Sequence, residues 1–255
     1  DEDSGYAEFQ GKVLSGKEAM AAAGIPRIVL GPKEGLAVNN GATFSAAIAA
    51  LAVIDAEYLF GVAEAALALS LEGLLGCSNA FDPRLHDARE QKGQIKVAEA
   101  VRRLIRGSTM INSTNRVQDA YSLRCAPQVQ GAARDTLEFV RQIIEREINA
   151  ATDNPLIFED GAAISGGNFH GEPVGMVMDY LSIAASEVGA ISERRVFRMT
   201  DGKLNAGLPA MLVDNADAAG LNSGLMMPQY TAASLVLENQ TLSTPDSVHS
   251  LPTSG

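Results

Sequence analysis

The chain has 255 residues, with 20 Lys and Arg against 31 Asp and Glu, and therefore a formal net charge of −11. Nucleic-acid binding depends mainly on Lys and Arg that neutralise phosphates, so this charge excludes a binder that works by bulk electrostatics. Apolar residues make up 46% of the chain and charged residues 20%, which excludes a disordered chain and predicts a sizeable core.

The cysteine and histidine content points to a reducing compartment and to no metal. Two cysteines, Cys77 and Cys125, are too few for the disulfide framework of a small secreted domain, so we expect a cytoplasmic protein. Three histidines, His86, His170 and His249, are spread along the chain, and we expect no His-rich metal site.

The ends of the sequence suggest an internal piece of a longer protein. The chain starts at Asp1 without Met and without a leader of the signal-peptide type, and it stops at Gly255 without a closing polar tail. We therefore expect residues 1–255 to form one central helical-bundle segment of a larger chain.

The first predicted elements are a capped short helix and a very long one. Ser15 and Glu18 form a capping box for a helix over 16–23. The uncharged stretch 35–54 is long enough to raise a membrane span, but polar residues interrupt it and acidic residues follow it. An Ala- and Leu-rich helix over 43–76, buried in a bundle and not in a membrane, is the better interpretation.

Apolar residues spaced by three and four predict further helices, and strand signals are few. The predicted helices cover 94–106, 131–151, 173–199 and about 223–242. Short strands are predicted at 7–13 and 27–30, with a small hairpin over 156–164. The predicted class is all-α: a bundle of long helices with minor short strands.

The junctions between these helices carry the candidate chemistry. Asn40 precedes Gly41 beside an apolar helix, and Asn-Gly by itself is most simply a turn with a helix cap. Gln118, Tyr121 and Arg124 recur at three-residue spacing, which on a helix would place an amide, a phenol and a guanidinium on one face. A guanidinium can grip a carboxylate and a phenol can relay a proton, although a solvated helix end fits the spacing equally well.

A third junction, at 165–173, is rich in glycine and ends at Pro173, a good first helical residue. His170 within it can act as a general acid or base. A lone histidine before a helix is more often structural, and we keep that interpretation as the simpler one.

Four motifs occur in an order that resembles the aromatic amino-acid ammonia-lyases and aminomutases, which use a methylidene-imidazolone (MIO) group and include histidine ammonia-lyase. The motifs are VQDAYSLRCAPQV at 117–129, DNPLIF at 153–158, GNFHGEP at 167–173 and GLNSG at 220–224. The resemblance runs from about Gly11 to Gly255. It implies a helical bundle of the aromatic ammonia-lyase and fumarase-like type, a cytoplasmic homotetramer with active sites shared between subunits, and elimination of ammonia from an aromatic L-amino acid.

The resemblance also implies site roles. Asn40 matches an asparagine that hydrogen-bonds MIO, and Tyr121 matches a tyrosine beside MIO that is needed for activity. Phe169 matches a phenylalanine that packs near MIO and the substrate. Gln118 and Arg124 match substrate-site residues, with Arg124 anchoring the carboxylate.

The chain departs from the family pattern at the cofactor. No Ala-Ser-Gly, the triplet that cyclises to MIO, occurs in these residues, and we expect it upstream of Asp1, with the catalytic base also outside the chain. Thr253–Gly255 is interpreted as ordinary chain. The piece alone is therefore expected to be inactive.

Several functions stay open. His170 in the GNFHGEP motif favours histidine as the substrate, converted to urocanate in histidine metabolism, over phenylalanine or tyrosine, and an aminomutase is a further possibility. The fumarase and aspartase superfamily ranks behind, because Gln229 and Thr231 stand where its signature has Lys and Asn. A non-catalytic helical fragment or scaffold is the alternative of another class.

Overall fold

The structure is a computed structural model that describes residues 5–218, 220–249 and 251. The chain divides into two compact units. The first contains the described residues up to Gly41 and Thr152–Phe169, and the second contains Ala42–Ala151 and the described residues from His170 onward. The expectation of one central segment of a larger chain stays a prediction, and Thr253–Gly255 lies outside the described residues.

The first unit is built from short elements. They are β1 (Tyr6–Phe9), β2 (Lys12–Ser15), α1 (Gly16–Ala23), α2 (Glu34–Asn39), β3 (Leu156–Ile157) and β4 (Ala163–Ile164). β1 pairs antiparallel with β2, and β3 pairs antiparallel with β4. The hairpin predicted over 156–164 is confirmed, with Leu156 opposite Ile164.

Two strand predictions in this unit are wrong. Residues 7–13 do not form one strand, because Gln10 and Gly11 both have positive φ, which makes the two-residue turn of a hairpin. Residues 27–30 form no strand, since no neighbouring segment in the described part of the chain pairs with them. The capping box is confirmed: the Glu18 N–H donates to Ser15 Oγ and the Ser15 N–H to the Glu18 carboxylate, each at 3.3 Å.

The second unit is a helical bundle. Its helices are α3 (Thr43–Gly73), α4 (Pro83–Asp87), α5 (Lys92–Leu104), α6 (Tyr121–Arg124), α7 (Ala126–Glu147), α8 (Glu172–Thr200) and α9 (Met226–Leu242). Short 3-10 turns lie at Ser78–Phe81, Ala210–Leu212, Ala216–Ala218 and Ser247–His249. The five long predicted helices are confirmed with shifted ends, and the all-α class is confirmed. α7 begins at Ala126 because Pro127 suits a first helical turn.

The core of the bundle follows one face of α3. Buried residues recur along this helix at alternating intervals of three and four, and they are Ala46, Ala49, Val53, Ala56, Phe60, Ala63 and Leu67. The first part of this seam packs with α7 and α8, and the last part packs with α5 and α6. Alanine side chains are small, so the many alanines let the helix backbones approach closely. The packed helices in turn hold α6 and the ends of α7 and α8 in place.

Two stretches, Glu34–Gly73 and Glu172–Thr200, are long and apolar enough to span a membrane by length and composition alone. Both also contribute buried residues to the bundle core, as the central helix of a water-soluble bundle does. The expectation of no membrane span stays a prediction.

Candidate active site

Asn40 lies at the end of α2, where it serves as the C-cap and its N–H donates to the Leu36 carbonyl at 2.8 Å. Gly41 follows with φ of +101°, and a Cβ at that position would lie 2.6 Å from the Thr152 side chain. Only glycine fits there without displacement, so the chain direction after Asn40 is tightly defined. The pair forms a bend after α2, as the turn interpretation expects, but Asn40 caps the end of α2, and the N-cap of the apolar helix α3 is Ala42.

One carboxylate holds the Asn40 side chain. Asp153 Oδ1 accepts hydrogen bonds from Asn40 Nδ2 at 2.9 Å and from the Asn154 N–H at 2.7 Å, while Oδ2 pairs with Lys33 Nζ at 2.5 Å. The Lys33 bond first, and then the Asn40 and Asn154 bonds, lower the pKa of the Asp153 carboxyl to about 2. Asp153 is therefore a charged acceptor across the neutral range.

Lys33 and Asp153 are the site residues that the sequence alone did not single out. Asp153 begins the DNPLIF motif, Lys33 lies in none of the four motifs, and the two residues are 120 positions apart. A spacing rule detects neighbours on one helix, and it has no means of pairing residues on separate segments. The DNPLIF motif was the available signal for Asp153.

Phe169 and His170 lie at the junction before α8. Phe169 occupies a turn in the first unit and is partly exposed. His170 begins the second unit, and its Nδ1 accepts a hydrogen bond from the Glu172 N–H at 3.1 Å. A ring nitrogen that satisfies an unpaired N–H of the first helical turn acts as a cap, which supports the structural interpretation of His170.

The prediction that Gln118, Tyr121 and Arg124 share a helical face is wrong for Gln118. Helix α6 begins at Tyr121, and Gln118 lies in non-helical chain. The cause is Asp119, whose buried carboxylate accepts a hydrogen bond from the Cys77 N–H at 2.6 Å and pairs with Arg116 at 3.3 Å. These contacts hold residues 118–119 out of the helix, and α6 begins after Ala120, whose backbone is extended.

Gln118 and Arg124 nevertheless line one cavity of about 260 Å³. Arg124 Nε donates to the Asp119 carbonyl at 2.9 Å, and its guanidinium carbon lies 4.5 Å from the centroid of the Tyr121 ring. The terminal nitrogens Nη1 and Nη2 donate no hydrogen bond within the described part of the chain. The arrangement can therefore present a fork of donors to a carboxylate, with an amide beside it.

Tyr121 presents its phenol outward. The residue is 71% exposed, and it lines a second cavity of about 510 Å³ together with Glu187, Arg194 and Phe197. The stacked Arg124 restrains the ring by a cation–π contact while the hydroxyl stays accessible to a ligand. A groove of about 690 Å³ between α7 and α8 is mainly apolar and is lined by none of the predicted site residues.

The predicted site residues belong to different units. Asn40 and Phe169 are in the first unit, whereas Gln118, Tyr121 and Arg124 are in the second. Among the described residues, no group of three or more His, Cys, Asp or Glu is arranged to hold a metal ion.

The sequence model for aromatic amino acid lyases matches residues 4–255, which is nearly the whole chain. The chain belongs to the aromatic amino acid lyase family. This membership confirms the resemblance inferred from the ordered motifs, and it decides against the fumarase and aspartase superfamily as the sequence family.

Aromatic amino acid lyases of known name match closely in sequence and in structure. Histidine ammonia-lyase of Treponema denticola is 49% identical over 253 residues, covering 98% of this chain and 49% of that protein. The Pantoea agglomerans phenylalanine aminomutase superposes with a TM-score of 0.89 at 33% identity, covering 99% of this chain and 53% of that one. Histidine ammonia-lyase from Trypanosoma cruzi superposes with a TM-score of 0.84 at 41% identity, covering 98% and 47%. The chain thus spans about half the length of the curated relatives it matches.

Proposed function

We propose that this chain is the central part of a larger MIO-dependent ammonia-lyase that eliminates ammonia from an aromatic L-amino acid, with L-histidine as the substrate. The observation that carries the proposal is the guanidinium of Arg124, whose terminal nitrogens donate no hydrogen bond to the described residues. It shares a cavity with Gln118 and suits a substrate carboxylate. The name of the Treponema denticola relative and the histidine in the GNFHGEP motif support the choice of substrate.

The reaction removes two groups from neighbouring carbons. The bond from Cα to nitrogen breaks, a proton leaves Cβ, a double bond forms between the two carbons, and ammonia departs. The amine is a poor leaving group and the β-proton is weakly acidic, so an electrophile and a base are both required. When bound, the MIO group supplies the electrophilic carbon that accepts the amine.

The donors of this chain suit such a group and its substrate. An MIO group carries carbonyl oxygens that accept hydrogen bonds, and Asn40 offers an amide whose orientation a carboxylate fixes. Tyr121 offers a phenol that can donate to the site or pass on a proton. Arg124 binds the substrate carboxylate and so sets the position of Cα, Gln118 adds an amide beside it, and Phe169 supplies an apolar surface for the aromatic ring.

We propose that the full-length protein is a cytoplasmic homotetramer in which subunits share active sites. An apolar stripe on α3 that the described chain leaves uncovered supports association, and its exposed members are Phe44, Ile48, Leu51, Tyr58, Val62 and Leu69. Exposed apolar surface of this extent is typical of an interface. Light scattering on the full-length protein tests the assembly, since a monomer would contradict it.

The deciding experiment incubates the full-length protein with L-histidine and follows urocanate absorbance. Urocanate production is the expected result. Cinnamate from phenylalanine or coumarate from tyrosine, with no urocanate, would overturn the substrate assignment and favour a phenylalanine or tyrosine ammonia-lyase.

A second candidate is an aminomutase, favoured by the superposition on the phenylalanine aminomutase. It would run the same elimination and then return ammonia to the neighbouring carbon. Chromatography of the reaction mixture for a β-amino acid distinguishes the two activities.

A non-catalytic helical fragment is the alternative of another class. We expect residues 1–255 expressed alone to release no ammonia and to aggregate, because the triplet that forms MIO is not among them and apolar helix surface would lie uncovered. Ammonia release by this piece would contradict the expected location of the electrophile.

A further inference from the structure

We infer that Asp153, anchored by Lys33, is a positioning residue that fixes the amide of Asn40 for the reaction. The inference rests on the proposed function, in which Asn40 hydrogen-bonds the MIO group. It adds two residues to the site that act through Asn40 and need not touch the substrate.

The two oxygens of Asp153 contact opposite ends of α2. Lys33 is the N-cap of this six-residue helix and Asn40 is its C-cap. Oδ2 accepts from Lys33 Nζ at 2.5 Å, and Oδ1 accepts from Asn40 Nδ2 at 2.9 Å. One carboxylate therefore connects both ends of the helix that carries Asn40.

The carboxylate also decides which way the Asn40 amide faces. A side-chain amide can be turned so that either its oxygen or its nitrogen points at a neighbour, and an ionised carboxylate only accepts hydrogen bonds. With the nitrogen held toward Asp153, the amide oxygen and the second N–H have defined directions. A neutral amide at position 153 would offer a donor as well as an acceptor and would remove this constraint.

Lys33 keeps the carboxylate in place. Its Nζ bridges Asp153 Oδ2 and the Asn154 carbonyl, the latter at 3.1 Å, so the ammonium holds both the side chain and the following backbone. Lys33 itself has φ of +74°, a left-handed conformation that an L side chain seldom adopts. The backbone thus accepts an unfavourable conformation where the side chain reaches Asp153.

Thr152 also holds the backbone of the 40–41 turn in place. Thr152 Oγ1 lies 3.5 Å from the Asn40 carbonyl, and the Thr152 side chain fills the space that a Cβ on Gly41 would need. Residues 152 and 153 therefore locate both the main chain and the side chain of the 40–41 turn. Fixing a hydrogen-bond donor before the reaction begins is how such groups lower a barrier.

The test uses the full-length protein with Asp153→Asn, Asn40→Ala and the double variant. Asp160→Asn is the matched control, since Asp160 lies in the same segment and its Oδ1 accepts one backbone hydrogen bond, from Ala162. We expect Asp153→Asn to lower kcat by about 10- to 100-fold, as loss of an orienting partner does elsewhere, with KM changed by less than about twofold. The control should keep wild-type kcat.

The double variant separates positioning from a general structural role. If Asp153 acts through Asn40, adding Asp153→Asn to Asn40→Ala should lower kcat no further. Losses that multiply would overturn the inference, and so would wild-type kcat in Asp153→Asn. Should Asp153→Asn fail to fold, Lys33→Met is the second variant. We expect it to lower kcat by a smaller factor, and to lower kcat no further in a protein that already carries Asn40→Ala.

A crystal structure of Asp153→Asn gives a readout that does not depend on activity. We expect the Asn40 amide to turn over or to move beyond hydrogen-bond distance of residue 153. An unmoved Asn40 would overturn the inference even in an inactive protein. A wild-type protein that acts on no aromatic amino acid would instead overturn the proposed function and leave the structural result standing.

Discussion

The guanidinium of Arg124 lies over the ring of Tyr121, with Cζ 4.5 Å from the ring centroid, and both residues belong to the four-residue helix α6. The contact orients two groups at once. The ring shields one face of the cation, while the Nε bond to the Asp119 carbonyl leaves the terminal nitrogens for a ligand. A phenol and a guanidinium are therefore held side by side on one short helix of the bundle.

Arg124→Lys tests the carboxylate anchor. Lysine keeps the charge but loses the planar fork, and we expect KM for the amino acid to rise about 10-fold or more, because charge-assisted bonds contribute about 1.5–3 kcal/mol. Arg124→Met should raise KM further. Steady-state kinetics on the full-length protein make the measurement, with the exposed Arg84→Lys as control; an unchanged KM in both Arg124 variants would contradict the assignment.

Tyr121→Phe tests the phenol. The ring remains beneath Arg124 and only the hydroxyl is lost, so we expect kcat to fall by about 10²- to 10⁴-fold, the range for a group that transfers a proton. The thermal midpoint should stay at the wild-type value, because the hydroxyl makes no hydrogen bond within the described part of the chain. Tyr6→Phe, at a residue in β1 with similar exposure, is the control. Full activity of Tyr121→Phe would remove the phenol from the mechanism.

Gly131→Ala tests the close crossing of α5 and α7. A Cβ on Gly131 would lie 2.4 Å from the Gln94 backbone nitrogen, so the helices must move apart. We expect the free energy of unfolding to fall by about 1–3 kcal/mol or more, measured by urea denaturation. Gly61→Ala is the matched control: its Cβ meets nothing within 4 Å, and alanine should stabilise the helix by about 0.5–1 kcal/mol. Equal effects at the two glycines would refute the steric explanation.

His86 predicts a pH dependence of stability. The ring is buried between Gln94, whose amide lies 2.9 Å from Nδ1, and the Ala80 carbonyl, 3.1 Å from Nε2, and burial lowers its pKa below the usual 6.5. With a lower pKa in the folded state, the unfolded chain binds the proton first. Stability from this residue is therefore complete above about pH 6.5 and is lost as the pH falls below that value.

The measurement compares urea midpoints at pH 7.5 and 5.5 for the wild type and His86→Gln. Glutamine keeps a donor and an acceptor but does not titrate, so we expect the urea midpoint to fall less between pH 7.5 and 5.5 in His86→Gln than in the wild type. His249→Gln, at an exposed histidine, controls for loss of a histidine as such. An equal fall of the urea midpoint in His86→Gln and in the wild type would mean that another group causes the pH dependence.

The long helices could be predicted because their physics is local. α3 starts at Thr43 as expected and ends at Gly73, close to the predicted Gly76, since residues spaced by three and four along one segment define its buried face. The predictions that failed depended on contacts outside the segment itself. Gln118 is kept off the helix by Asp119, whose partners lie at Cys77 and Arg116, and the apolar run at 27–30 lacks a partner strand in the described chain.

The sequence by itself determined the family, through four ordered motifs, and the helical class, through apolar spacing and composition. Only the tertiary structure revealed the contacts of Asp153 with the distant Lys33 and Asn40. It also showed that Gln118 and Arg124 line one cavity although they do not share a helix. Periodicity reports which side of one segment is buried. Which carboxylate meets which amide depends on loops that bring residues more than a hundred positions apart into contact. No local pattern in the sequence encodes that pairing.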